Sequence, residues 1–294
     1  MMLLHPQLKT GLLTIMTLGF GLGAIAPLPA QAVSFPSSTP SGGAPPRTAS
    51  GAPRRNDAEA SCIRSIADLD GDQSQEGLTR MTVLAPTSRV ITSLNQQPTF
   101  FVYMPQINLQ RGDRPFVTID IDELVPDESA AGGYRYGDAY TEDLVSIPAT
   151  VTDGPRIVAY ASEEINLEPG KLYQWSISFS CRSDTFAPIE SAIDGLIDCR
   201  GGGCNRQVEL PDSQQLNPEE LSQIAQDYAN QGFWQETVQV TSQLRQFDRQ
   251  GWQELLESQG LDCFAEVPFA EEPDANFTIE DDPQCFIDGE TPQL

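Results

Sequence analysis

The chain has 294 residues, 20% of them charged, and a formal net charge of -25. Its only histidine is His5 and its only lysines are Lys9 and Lys171. Past the first few dozen residues this excludes Ser-His-Asp and Cys-His arrangements, histidine acid-base catalysis and histidine metal ligation. Residues 57–294 hold all 42 acidic residues and 13 of the 17 basic ones, a net charge of -29. Such a body repels phosphate backbones and anionic lipid, so the expected partners exclude nucleic acid and leave cations, basic proteins and neutral glycans.

Residues 1–32 combine Lys9, an apolar run from Gly11 to Ala26 and the small-x-small ending PLPAQA. This is the pattern of a signal peptide cleaved after Ala32. The run is shorter than the roughly 18–20 apolar residues a membrane span takes, and glycine dilutes it. A mature chain starting near Val33 is expected to be soluble and secreted, or held in the periplasm or cell envelope, with no membrane insertion after cleavage. Residues 33–60, rich in Pro, Gly, Ser and Ala, have little to bury and read as a disordered leader.

The stretch DLDGDQSQEG follows, with Asp68, Asp70 and Asp72 at alternate positions and Glu76 behind them. Set against an EF-hand loop, the three aspartates fill positions 1, 3 and 5. However, Gln73 stands where the turn glycine belongs and Thr79 where the bidentate glutamate belongs. A looser, weak calcium site at Asp68, Asp70, Asp72 and Glu76 is the metal reading; an acidic turn leading into a strand is the plainer one. No other cofactor is expected.

Residues 61–210 carry short β-type runs separated by turn residues: LTRMTVLAP, RVITS, PTFFVYMP, FVTIDIDEL, DLVSIPATV, RIVAYASEEI, LYQWSISFSC and AIDGLIDC. In Tyr173 to Cys181 the apolar residues alternate with Gln174, Ser176, Ser178 and Ser180, the mark of a strand with one buried face. Leu167, Gly170 and Tyr173 have the spacing of a tyrosine corner, with Trp175 entering the core two residues later. The reading is an antiparallel β-sandwich of immunoglobulin or fibronectin type, with a jelly roll as the alternative. Phe100, Phe101 and Tyr103 read as packing residues rather than a ligand platform.

Six cysteines, an even number in an exported chain, read as disulfides: Cys62, Cys181, Cys199, Cys204, Cys263 and Cys285. Fifteen pairings are possible. The preferred set closes CRGGGC with Cys199–Cys204, ties Cys263 to Cys285 and leaves Cys62 with Cys181. A Cys-only zinc site at CRGGGC is the rival.

Residues 211–261 change character. Asn217-Pro218-Glu219-Glu220 offers an N-cap, a proline at N1 and a glutamate at N3. Leu221, Ile224, Ala225 and Tyr228 form the apolar stripe, which Gly232 ends. A second helix carries Phe233, Val238, Thr241 and Leu244, and a short third one carries Trp252, Leu255 and Leu256, ending at Gly260. YANQGFWQETVQVTSQL resembles the middle of a tetratricopeptide repeat, but one repeat is too few for a stacked array. The hairpin therefore packs on its neighbours or offers a protein-binding groove. Residues 262–294 read as an acidic, solvated tail tethered by a disulfide.

GAPRR (51–55), LAP (84–86), PTFFVYMP (98–105), LEPGKLYQWSISFSC (167–181), DGLI (194–197), YANQGFWQETVQVTSQLR (228–245) and WQELLESQGL (252–261) follow one another in an order and spacing that resembles a family of exported cyanobacterial proteins, domain of unknown function 928. The resemblance implies an exported cyanobacterial protein with no established activity, and it carries over no functional residue. CRGGGC and the tail from Asp262 depart from the pattern.

Two functional classes follow. One is a non-enzymatic envelope or extracellular protein that binds an unknown protein or glycan partner or serves a structural role. The other is a carbohydrate-active enzyme using paired carboxylates, with Asp120, Asp122 and Glu123 of IDIDEL as candidates. Lys171, in a PGK turn, is the one residue available for amine chemistry.

Overall fold

The computed structural model describes residues 33–35, 81–107, 109, 115–130, 133–161, 164–181, 189–206 and 216–271. The expected signal peptide and the Asp68, Asp70, Asp72 and Glu76 loop lie outside them, as do Cys62 and Cys285. Among the described residues the strands are β1 (Thr82–Val83), β2 (Val90–Ile91), β3 (Thr99–Met104), β4 (Phe116–Pro126), β5 (Tyr134–Ser146), β6 (Arg156–Ala161), β7 (Leu172–Ser180) and β8 (Ile189–Asp198). Three helices follow, α1 (Pro218–Gln231), α2 (Trp234–Leu244) and α3 (Arg249–Glu257). The protein is thus β-rich, with a helical C-terminal part.

The strands form two open sheets, β1-β3-β6 and β2-β8-β7-β4-β5. All pairs are antiparallel except β2 with β8. Alternation explains the larger sheet. Val117, Ile119 and Ile121 of β4 and Trp175, Ile177 and Phe179 of β7 are buried, and the residues between them are only partly covered. The sheets meet through these inner faces, where the Phe100 ring of β3 lies 5.5 Å from Trp175.

Strand β3 is buried on both faces, which is why its sequence is a continuous apolar run rather than an alternating one. Phe100 faces the larger sheet. On the opposite face Phe101 meets Phe269 edge-on at 6.2 Å and Tyr103 meets Phe264 at 4.9 Å. Phe269 in turn lies 5.5 Å from Trp252 of α3. The order of layers is larger sheet, smaller sheet, helical part, and one continuous apolar core joins all three.

The helix signals act as the sequence indicates. Asn217 Oδ1 accepts from the Glu220 N–H at 2.9 Å and Glu220 Oε2 accepts from the Asn217 N–H at 3.1 Å, a complete capping box. Gly232 ends α1 at φ 79°, a left-handed conformation natural to glycine. The hairpin does not stand alone. The Trp234 indole N–H donates to the Leu84 carbonyl at 3.0 Å, and the Gln235 N–H donates to the Thr92 carbonyl at 3.3 Å. Thr92 Oγ1 also accepts from the Trp234 N–H at 3.4 Å and donates to the Gly232 carbonyl. The β2 end of the chain therefore satisfies amides at the start of α2.

Three expectations need correction. DLVSIPATV is not a strand throughout: β5 ends at Ser146, and Ala149–Thr152 forms a 3-10 turn behind Pro148. The segment from Asp262 is not solvated from its start, because Phe264, Ala265, Val267, Phe269 and Ala270 are buried. Pro268 and Ala270 extend the β6 edge, bonding to Ile157 on both sides at 2.9 Å. Nor is the leader free of buried residues, since Val33 and Phe35 join the core.

Candidate functional site

The outward face of the larger sheet is set by register. Asp120 of β4 pairs with Glu142 of β5 and with Ser176 of β7, and Ser176 pairs with Asp194 of β8, so one row across four strands carries three carboxylates. The next row holds Asp122 against Gln174. Partial burial raises the Asp122 carboxyl above its ordinary value. Two large apolar side chains stand out of this face on β5, Tyr136 at 58% exposure and Leu144 at 63%. The Tyr136 hydroxyl donates to Gln174 Oε1 at 3.3 Å, so its ring leans inward across β4.

Strand β5 is also the edge of its sheet. The other edges are treated differently: Thr92 beyond β2 bonds to α2, residues 268–270 line β6, and β1 is only two residues long. Among the described residues β5, with 13 residues, is the one long edge without a strand beside it.

The candidate catalytic groups fall in two places. Lys171 Nζ lies 3.0 Å from Glu123 Oε2 and 3.2 Å from Glu168 Oε2. Hydrogen bonds to these two carboxylates, Glu123 first, raise the ammonium above its ordinary value. That is opposite to what an amine nucleophile needs. Glu123 is engaged in the same contact, while Asp120 and Asp122 belong to the outward rows.

The Tyr173 hydroxyl accepts from the Glu168 N–H at 2.9 Å, bringing the start of β7 back to the backbone between Leu167 and Gly170. Gly170 takes φ 83°, and Leu167 and Trp175 are buried. Cys199 and Cys204 form a disulfide with both residues fully buried. Cys181 and Cys263 are also in disulfide form. The pairings expected with Cys62 and Cys285 lie outside the described residues. The CRGGGC loop folds against the chain after β2: Cys204 N–H donates to the Ser93 carbonyl at 2.8 Å. A side chain at Gly203 would meet that oxygen at 2.5 Å. Arg200 closes the loop's outer side with two bonds to Asp198, at 2.7 and 2.9 Å, and a third to the Tyr134 hydroxyl at 3.2 Å.

Glu236 was not singled out by sequence. It is 2% exposed in α2, and its Oε1 accepts from Ser93 Oγ, Leu94 N–H and Asn95 N–H at 2.9, 2.8 and 3.1 Å. Its Oε2 has no hydrogen-bond partner. Burial raises this carboxyl above its ordinary 4.5, against the lowering effect of the three donors. The group fastens the helical part to the segment after β2, against which the disulfide loop is also seated. In sequence it is one more glutamate in the first turn of a helix, with nothing to mark it as buried.

No group of acidic or cysteine residues able to hold a metal occurs among the described residues. No helix among them is long and apolar enough to cross a membrane. No curated protein and no solved structure matches the chain. A family model does, over residues 51–269, which takes in both sheets and all three helices. The chain belongs to the family described as Domain of Unknown Function (DUF928).

Proposed function

We propose that this protein is an exported, non-enzymatic interaction module of the cell envelope or medium, in a cyanobacterial family. Its contact surface is the outward face and edge at β5, and its partner is a protein with a basic surface. The observation that carries this reading is the pairing of a 13-residue edge, beside which no further strand lies among the described residues, with two exposed apolar side chains, Tyr136 and Leu144, on a face crossed by Asp120, Asp122, Glu142 and Asp194. Apolar anchors beside charge are the composition of a protein interface, and the acidic rows select a cationic partner.

Export is supported by the N-terminal pattern and by the disulfide state of Cys181, Cys199, Cys204 and Cys263, which fits an oxidising compartment. An immunoglobulin-like sandwich is the finer reading of the fold. It is supported by the chain's repeated crossing between the two sheets and by the Tyr173 hydroxyl bond at the start of β7.

The test compares capture from envelope and medium fractions by the native chain and by a Tyr136→Ser, Leu144→Ser variant. The proposal expects a captured protein that is lost in the variant and released by salt. Equal capture by both chains counts against it, as does glycan cleavage abolished by Asp120→Asn or Asp122→Asn.

A further inference from the structure

Three residues remote in sequence fill a groove in the helical part. Val33 is fully buried and stands over Gly251 of α3, where a Cβ would come within 3.9 Å of Val33 Cγ2. Phe35 is 5% exposed and sets its ring edge-on to Trp234 of α2, with centroids 5.1 Å apart and planes at 84°. Ser34 between them is exposed.

The backbone is held as well as the side chains. The Phe35 N–H donates to Ser258 Oγ at 3.5 Å, and the Phe35 carbonyl accepts from Gln259 Nε2 at 3.2 Å. Gln259 is itself fixed, its Oε1 accepting from the Thr87 N–H at 3.3 Å and its carbonyl from Thr87 Oγ1 at 3.1 Å. Apolar pockets for residues i and i+2, with polar groups matched to the backbone, are the elements of extended-peptide recognition. Nothing in the contact depends on covalent continuity. Forty-five residues separate Phe35 from Met81, a covalent reach of up to roughly 150 Å.

We propose that the groove between α2 and α3 is a peptide-binding site for an extended apolar-x-aromatic segment, filled by residues 33–35 of the same chain and open to exchange with that segment of a second copy. The site is separate from the β5 face and does not rest on the function proposed for it. A detached segment loses the effective concentration that the connection supplies, so its own affinity becomes measurable.

The experiment inserts a site-specific protease sequence between residues 41 and 42 of the full chain and cuts it after folding. The N-terminal fragment should co-elute with the body and be displaced by excess synthetic peptide of residues 33–40. A Phe35→Ala peptide should displace it at least about tenfold less well, as the loss of a buried aromatic ring implies. Mixing two full-length populations with distinguishable labels should then give mixed pairs. A fragment that no peptide excess displaces, or a body that unfolds on cutting, overturns the proposal. If the insertion itself prevents folding, amide exchange on the unaltered chain decides. The Phe35 amide should exchange at least about tenfold faster than those of Leu255 and Leu256, and equal rates would mean the segment leaves only on global unfolding.

Discussion

The indole of Trp175 occupies the space that a side chain on Gly195 would need: a Cβ there would come within 2.6 Å of Trp175 Cε2 and 2.7 Å of the Arg89 carbonyl. The two residues are directly paired across β7 and β8, and the Trp175 indole N–H donates to the carbonyl of Leu196 at 3.3 Å. The glycine of DGLI is therefore a packing requirement of the tryptophan. Gly195→Ala should lower stability by about 1–3 kcal/mol, the usual effect of overpacking a core. Chemical denaturation at constant slope checks it, and an unchanged midpoint would contradict it.

Glu236 gives a pH-dependent prediction. Its carboxyl titrates higher in the folded state than its ordinary 4.5, so the folded protein holds the extra proton. Stability from this group is fully present below the unfolded value and is lost as pH rises through the folded one. Glu236→Gln keeps an acceptor for Ser93, Leu94 and Asn95 and removes the titration. Its stability relative to the native chain should rise between pH 4 and pH 8, whereas a difference flat with pH would exclude the buried carboxyl as its source. Glu236→Ala strands three donors and should destabilise by about 3 kcal/mol or more.

The Cys199–Cys204 bond closes a short loop, for which chain-entropy arguments give about 2 kcal/mol. A Cys199→Ser, Cys204→Ser double variant should lose about that much in equilibrium unfolding. The loss should be larger if Gly203 no longer seats against Ser93. A variant as stable as the native chain would show that the hydrogen bonds of residues 204–206 hold the loop alone.

Tyr173→Phe isolates one hydroxyl. It removes the acceptor of the Glu168 N–H while leaving the ring, and should cost about 1 kcal/mol. Comparison with Tyr136→Phe, whose hydroxyl bonds Gln174 at an exposed position, should show a smaller effect there.

Local rules made parts of this fold legible and left others hidden. The Asn217 and Glu220 cap, the Gly232 stop and the alternation of β7 are local in sequence, and each is present where the pattern places it. The first half of β5 carries no strand pattern in its sequence. Its tyrosines, arginine, glycine and acids lie at a sheet edge beside which no further strand stands among the described residues, so alternation is weakly imposed. Val33 and Phe35 lie in a Pro- and Ser-rich stretch and Phe264 and Phe269 beside an acidic one, and only contacts with residues more than a hundred positions away reveal their burial. Glu236 is hidden for the same reason: it becomes distinctive only beside the donors of Ser93, Leu94 and Asn95.

The central claim, that β5 and its outward face contact a basic protein partner, is tested most directly by site-specific photo-crosslinking in the native compartment. The crosslinker replaces Tyr136, with a second chain carrying it at Gln223 on exposed α1 as the control. The account predicts a discrete protein adduct from position 136 that weakens as salt rises and is absent from position 223. Equal adducts from both positions, or none from position 136 in the compartment where the chain accumulates, would contradict it.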